Sequence, residues 1–354
     1  MSTSLPVRSA TIVAAMLLLA GCAAAPDDAG TDDSSADFCA RMVTNSGGLE
    51  DRSFNQSSWE GLQSAAEEYG IDADVIISGS ETDLAPNVEQ AVATECGFIL
   101  TVGYELATAT LEQAEANPDL DFAIVDEVVE ADNVKPIVFN TAEAAYLAGY
   151  LAAGVSKTGV VGTFGGGKQP PVTLFMDGFV DGVAAYNEAH GTAVTALGWD
   201  KDAQEGLFTG DFEDVNKGKT YAANLIDQGA DVILPVAGQV GEGAAAAAVD
   251  AGSVSVIWVD NDGYDTLPAE YRPILLTSVL KNTGDAVVEI VGSSIDDTFD
   301  NSAFVGTLEN GGVGLAPFHD MESSVSDELA AELEQLTADI VAGTITVESP
   351  SIPQ

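Results

Sequence analysis

Lys157-Thr158-Gly159-Val160-Val161-Gly162 marks the point at which the chain starts its pattern over again. On both sides of it, short β-rich runs alternate with helical stretches, the pattern of a doubly wound α/β protein with parallel sheets. The clearest strands are expected at Val75–Ile77, Phe98–Val102, Phe122–Val125, Gly159–Phe164, Val232–Pro235 and Val254–Val259. Each ends in Gly, Asp, Ser or a similar turn-former, so ligand groups belong on the loops that follow the strands. Between the strands, Trp59, Leu62, Ala66 and Tyr69 recur at helical spacing until Gly70 stops the run, and another helix passes through Ala144, Leu147 and Leu151. The last helix has Leu329, Leu333, Leu336 and Ile340 on one face, Ser326 as its N-cap and Gly343 just past its end. These elements exceed one ordinary sheet, and the restart at Lys157 predicts two α/β lobes.

Upstream of this pattern, Arg8 precedes an apolar run from Ala10 to Leu19, followed by Leu19-Ala20-Gly21-Cys22. A positive start, a short apolar core and small residues before a cut are the layout of a secretory signal. A cysteine directly after Leu-Ala-Gly resembles the bacterial lipobox. Residues 1–21 are therefore expected to be a lipoprotein signal peptide, with Cys22 lipidated and residues 22–37 a disordered acidic tether. The lipid would hold the protein at the extracytoplasmic face of the cell membrane without spanning it. If Cys22 is acylated, Cys39 and Cys96 remain, each at the start of an expected strand, Ala40–Val43 and Gly97–Val102. Outside the cytoplasm such a pair tends to form a disulfide; buried free thiols are the alternative.

The formal charge is −46, from 57 acidic residues against 11 basic ones. A surface of that sign repels phosphate backbones, which excludes nucleic acid as a partner. One segment imitates a nucleotide-binding enzyme: Gly162-Thr163-Phe164-Gly165-Gly166-Gly167-Lys168 follows a strand and starts as a phosphate-binding loop does. The next position is Gln169, where Mg²⁺ chemistry needs Ser or Thr, and Pro170-Pro171 removes two N–H donors where the helix should begin. A flexible loop is the better reading. His190 and His319 are the only histidines and lie far apart in sequence, so neither a zinc site nor a Ser-His-Asp triad has support. No metal, cofactor or catalytic residue is expected.

More specific is Gly47-Gly48-Leu49-Glu50-Asp51-Arg52-Ser53-Phe54-Asn55-Gln56-Ser57-Ser58-Trp59-Glu60-Gly61, between the first strand and the first helix. This segment resembles the basic membrane protein family of lipoproteins, whose members include purine-nucleoside receptors serving ABC-type importers. Ile99-Leu100-Thr101-Val102-Gly103, Ala145-Tyr146-Leu147-Ala148-Gly149, Phe175-Met176-Asp177-Gly178-Phe179, Ala237-Gly238, Trp258-Val259-Asp260-Asn261-Asp262 and Thr277-Ser278-Val279-Leu280-Lys281 resemble further family signatures, in the family's order. The resemblance covers about Cys39 to Val347. It implies a periplasmic-binding-protein type I fold: two doubly wound parallel-sheet lobes joined by a multi-strand hinge, with the ligand in the cleft. The expected lobes are 38–138 plus 278–315 at the N-terminal side and 139–277 plus 316–354 at the C-terminal side. It also implies a nucleoside ligand, an ABC permease as partner and a monomer.

Carried onto this chain, the family's pattern makes Asp51, Asn55 and Asp126 polar contacts to the base. Phe54 and Phe175 would supply aromatic surface, with Phe175 stacking on the ring, and Gly238, Asp260 and Lys281 would form the ribose end. The residue types suit that role, since a flat heterocycle is held by an aromatic face plus Asp and Asn at its rim, and ribose hydroxyls donate to a carboxylate. Lys281 could donate to the sugar or hold Asp260 in place. A nucleotide would want Arg and Lys around its phosphate, and the chain has few. Duller roles exist for the same residues. Asp51 could cap the first helix, Asn55 could sit in its opening turn, Asp126 and Asp260 could be turn residues, and Phe175 could be core. Two other functions are compatible with such a cleft: nucleoside sensing without transport, and a nucleoside hydrolase, which would need clustered aspartates around a metal or a positioned base.

Overall fold

The computed structural model describes residues 38–353; the signal peptide, Cys22 and the tether expected at 22–37 lie outside the described residues. The first half of the chain runs β1 (Cys39–Thr44), α1 (Phe54–Tyr69), β2 (Asp72–Ile76), α2 (Leu84–Val92), β3 (Phe98–Val102), α3 (Ala107–Ala116), β4 (Asp121–Val125), β5 (Val134–Phe139) and α4 (Thr141–Val155). It continues with β6 (Val160–Gly165), α5 (Pro170–His190), β7 (Thr195–Leu197), the small hairpin β8 (Trp199–Asp200) and β9 (Glu205–Gly206), α6 (Val215–Asp227), β10 (Val232–Val236) and α7 (Gly241–Ala251). β11 (Ser255–Asp260), the single turn α8 (Gly263–Thr266), β12 (Leu275–Lys281), α9 (Thr283–Ile295), β13 (Phe304–Gly306), β14 (Val313–Leu315) and α10 (Asp327–Val341) complete it.

Two six-stranded sheets result, ordered β13-β5-β4-β3-β1-β2 and β14-β12-β11-β10-β6-β7. Every pairing in the first is parallel, and in the second only β12 with β14 is antiparallel. Central strands read as unbroken apolar runs because helices cover both faces: all five residues of β3, Phe98 to Val102, are buried. The helix signals act where expected. Gly70 closes α1 in the left-handed conformation at φ 69°, and Ser326 Oγ accepts the Leu329 N–H at 3.2 Å at the start of α10. α4 and α5 pack with almost no space between their backbones: a Cβ on Gly149 would fall 2.0 Å from the Phe179 carbonyl oxygen, and one on Gly182 1.9 Å from that of Tyr146.

The chain passes between the sheets three times: at Asn140 after β5, at Asn282 after β12, and through residues 307–312 between β13 and β14. The crossings bond to one another, Asn140 N–H to the Gly306 carbonyl at 2.8 Å and Asn282 N–H to that of Gly312 at 2.9 Å. This moves the boundaries expected at 278 and 316. Ser278–Lys281 belongs to the second sheet, because β12 runs in register with β11 from Thr277 opposite Ile257 to Leu280 opposite Asp260, and a strand so paired cannot change sheets midway. Val313–Leu315 lies in the second sheet too, paired with β12.

Cys39 and Cys96 are bridged, with Sγ atoms 2.10 Å apart. The parallel register of β1 with β3, Ala40 opposite Phe98, brings their starting ends together. A cross-link between residues separated by 57 positions restricts the unfolded chain by about 4 kcal/mol on the chain-entropy account. Replacing both cysteines with serine is expected to lower the thermal midpoint by roughly 5–10 °C in a calorimetric scan. An unchanged midpoint would show that the bridge contributes nothing.

Candidate ligand-binding site

The carboxyl ends of the strands in both sheets face one cavity, as the strand-end rule for open parallel sheets requires. From the first sheet come Asn45, just beyond β1, with Asp51, Phe54 and Asn55 from the following loop and helix, Glu105 after β3, and Asp126 after β4. The second sheet contributes Gln169, Phe175, Phe212, Gly238, Asp260 and Lys281. All eight residues carried over from the family pattern therefore line the same space.

Asp51 is 4% exposed, and its carboxylate is occupied by the opening of α1: Oδ2 accepts the Asn55 N–H at 2.7 Å, and Oδ1 accepts those of Ser53 and Gln56 at 3.1 Å each. The capping role and the cavity position thus coincide. Burial pushes its pKa from 3.8 up to about 6, against the lowering effect of those three N–H groups. Asn55 donates from Nδ2 to Asn45 Oδ1 at 2.7 Å, while its own Oδ1 is buried without a partner among the described residues. A buried acceptor left open costs stability until something donates to it.

Lys281 departs from expectation. Its ammonium pairs with Asp126 rather than Asp260, and it lies 4.5 Å from the Phe54 ring centroid and 5.4 Å from that of Phe139. Residues expected at opposite ends of a ligand are thereby joined, because β4 and β12 end opposite each other across the cleft. Asp260 instead accepts from Ser53 Oγ. Burial raises the Asp260 pKa, with the Lys281 charge and the Ser53 hydroxyl opposing it.

Asn45, Glu105, Gln169 and Phe212 were not among the sequence candidates. The first two follow β1 and β3, so the strand-end rule could have found them. Phe212 had no local signal. It lies against Gly166, where a Cβ would fall 2.4 Å from its ring, and a Cβ on Gly165 would meet Phe208 at 2.7 Å. The Gly-rich segment that imitates a phosphate loop is a flat backbone on which two phenylalanines rest, and it is tied to β10 by the Gly166 N–H to the Val236 carbonyl at 2.9 Å.

Two hinged parallel sheets with an aromatic and acidic cavity between their carboxyl ends define a ligand-binding protein of the periplasmic-binding type I class. The profile of a family described as ABC transporter substrate-binding protein, PnrA-like, matches residues 39–351, and the chain belongs to that family. It is accordingly a substrate-binding protein and not an enzyme, which removes the hydrolase alternative. The chain is 33% identical to the ABC transporter nucleoside-binding protein BmpA of Lactococcus lactis over 96% of its own length and 97% of that protein's. Identity is also 33% with the CD4+ T-cell-stimulating antigen of Listeria innocua, over 95% and 96% of the two chains. Among solved structures, an ABC transporter solute-binding protein from Aeropyrum pernix superposes with a TM-score of 0.79 at 25% identity, covering 88% of this chain and 94% of that one.

Asp51 yields a pH-dependent outcome. Its folded pKa lies above the unfolded value, so the folded state holds the proton more tightly, and ionisation removes up to about 3 kcal/mol of stability as pH rises from about 4 through about 6. The stability difference between the wild type and Asp51→Asn is therefore expected to shift against the wild type between pH 4 and pH 7 in urea titrations. A constant difference would place the Asp51 pKa near its ordinary value.

Proposed function

We propose that this protein captures a purine nucleoside in the cavity between its two sheets and delivers it to an ABC permease, held at the extracytoplasmic face of the membrane by a lipid on Cys22. The observation that carries this reading is the composition of the cavity wall: three phenylalanines, Phe54, Phe175 and Phe212, beside Asp51, Asn55, Asp126 and Asp260, with Lys281 already paired to Asp126. The similarity to a relative named for nucleoside binding supports it. Among the described residues no helix is long and apolar enough to cross a membrane, which is compatible with anchoring through the lipid.

In this account Phe175 stacks on the heterocycle, the open Asn55 Oδ1 takes a proton donor on its rim, and ribose hydroxyls donate to Asp260. Lys281 is the one Lys or Arg among the described residues that line the cavity, and Asp126 neutralises it, so a phosphate finds no free cation. An unphosphorylated nucleoside is the ligand that meets these groups without an unpaired charge. Binding shifts the population toward the closed arrangement in proportion to the ligand's preference for it.

Calorimetry on protein stripped of copurified ligand checks the reading against a panel of purine and pyrimidine nucleosides and their monophosphates. Heat with purine nucleosides and none with monophosphates is expected; silence across the nucleosides contradicts it. Phe175→Leu is expected to weaken nucleoside affinity about tenfold or more, the scale of one base–aromatic stack. Asp126→Asn is expected to weaken it as well, by freeing the Lys281 charge, with circular dichroism unchanged in both variants.

A further inference from the structure

Besides the three chain crossings and the Lys281–Asp126 pair, two further groups of side-chain contacts join the sheets directly, and both border the cavity. The first is half-buried and uses chiefly main-chain acceptors. The Arg52 carbonyl accepts from Trp258 Nε1 at 3.1 Å and Thr266 Oγ1 at 3.2 Å, and the Ser53 carbonyl accepts from Asn261 Nδ2 at 3.1 Å. Ser53 Oγ adds its bond to Asp260. The second is a single side-chain bond: Gln169 Nε2 donates to Glu105 Oε1 at 2.6 Å.

Both partners of that second contact are released from local duties. Gln169 occupies the N-cap position of α5, where a side chain ordinarily accepts a helix N–H, and it makes no such bond. α5 opens with Pro170 and Pro171, which have no N–H to offer, so the Gln169 amide is left to reach outward. Opposite it, Gly103 turns at φ 125° directly after β3, and a Cβ there would fall 2.9 Å from Glu105 Oε2. The turn that carries Glu105 across therefore requires glycine. Both side chains line the cavity, so the bond lies on its wall rather than remote from it.

We propose that Glu105 and Gln169 form a gate across the cavity, a bond that holds the lobes together with or without ligand and so sets how long ligand is retained. The inference rests on the nucleoside reading for its kinetic assay but not for its structural one. Because the bond joins the two lobes without belonging to either fold, breaking it leaves each sheet intact and changes the balance between open and closed forms. The donor and acceptor are interchangeable in principle: a glutamate on α5 facing a glutamine after β3 restores the same bond in reverse.

The test compares wild type, Gln169→Glu, Glu105→Gln and the double exchange. Release of inosine is followed by stopped-flow tryptophan fluorescence, and hydrogen exchange is followed over residues 103–106 and 167–172 without ligand. Gln169→Glu sets two carboxylates against each other, and release about tenfold faster or more is expected from the loss of one charge-assisted bond, with exchange rising in both segments. The double exchange should return both readouts close to wild type. Unchanged exchange in Gln169→Glu would overturn the gate. So would a double exchange as impaired as the single variant, since the residues would then act on the ligand separately. Failure of inosine to bind the wild type would count against the nucleoside reading alone, because the exchange measurement stands without it.

Discussion

Lys281 places a buried ammonium, 2% exposed, between the ends of two sheets in a chain whose formal charge is −46. Removing such a group from water is expensive unless it is paired and surrounded by favourable surfaces. Asp126 provides the charge, while the faces of Phe54 and Phe139 supply the negative side of their quadrupoles. These partners come from different places: Asp126 from the end of β4, Phe54 from the start of α1, Phe139 from the last residue of β5. Lys281 is itself the last residue before the second crossing. The pair therefore fastens the first sheet to the second at the point where the chain changes sheets.

Around that pair the backbone adopts conformations that side chains other than glycine seldom take. Arg52, Asp126 and Asp260 have φ of 61°, 69° and 67°, each in the left-handed region, at a cost of order 1 kcal/mol or more apiece. All three lie where one sheet meets the other. Arg52 turns its carbonyl toward Trp258 and Thr266, and Asp126 and Asp260 turn off the ends of β4 and β11 into the cavity. Each of the three takes part in a contact across the sheets: the Arg52 carbonyl with Trp258, Asp126 with Lys281, and Asp260 with Ser53.

Much of this was legible in the residues. Strands read correctly to within a few positions because buried parallel strands are continuous apolar runs, and the stop at Gly70 and the start at Ser326 followed from backbone and capping preferences. Cavity residues on the loops after strands were within reach for the same reason, Asp126 and Asp260 among them. The partner of Lys281 was not, since three acids stood in plausible loops and only the twist of two sheets decides which one meets the ammonium. Phe212 escaped because its cue is distributed: the bare backbone of Gly166 belongs to one loop, the ring to another, and no periodicity connects them. The sheet assignment of Ser278–Lys281 and Val313–Leu315 depended on hydrogen-bond register, which apolar patterning does not carry.

On the proposed reading, the acidity and the cavity combine into one demand on the ligand: flat, rich in hydroxyls and amides, and free of negative charge. A crystal structure of the protein soaked with guanosine tests this most directly. The account predicts the base against Phe175 with its rim near Asn55, the ribose hydroxyls at Asp260, and Lys281 still paired with Asp126. An empty cavity, or a nucleoside bound elsewhere on the surface, would contradict it.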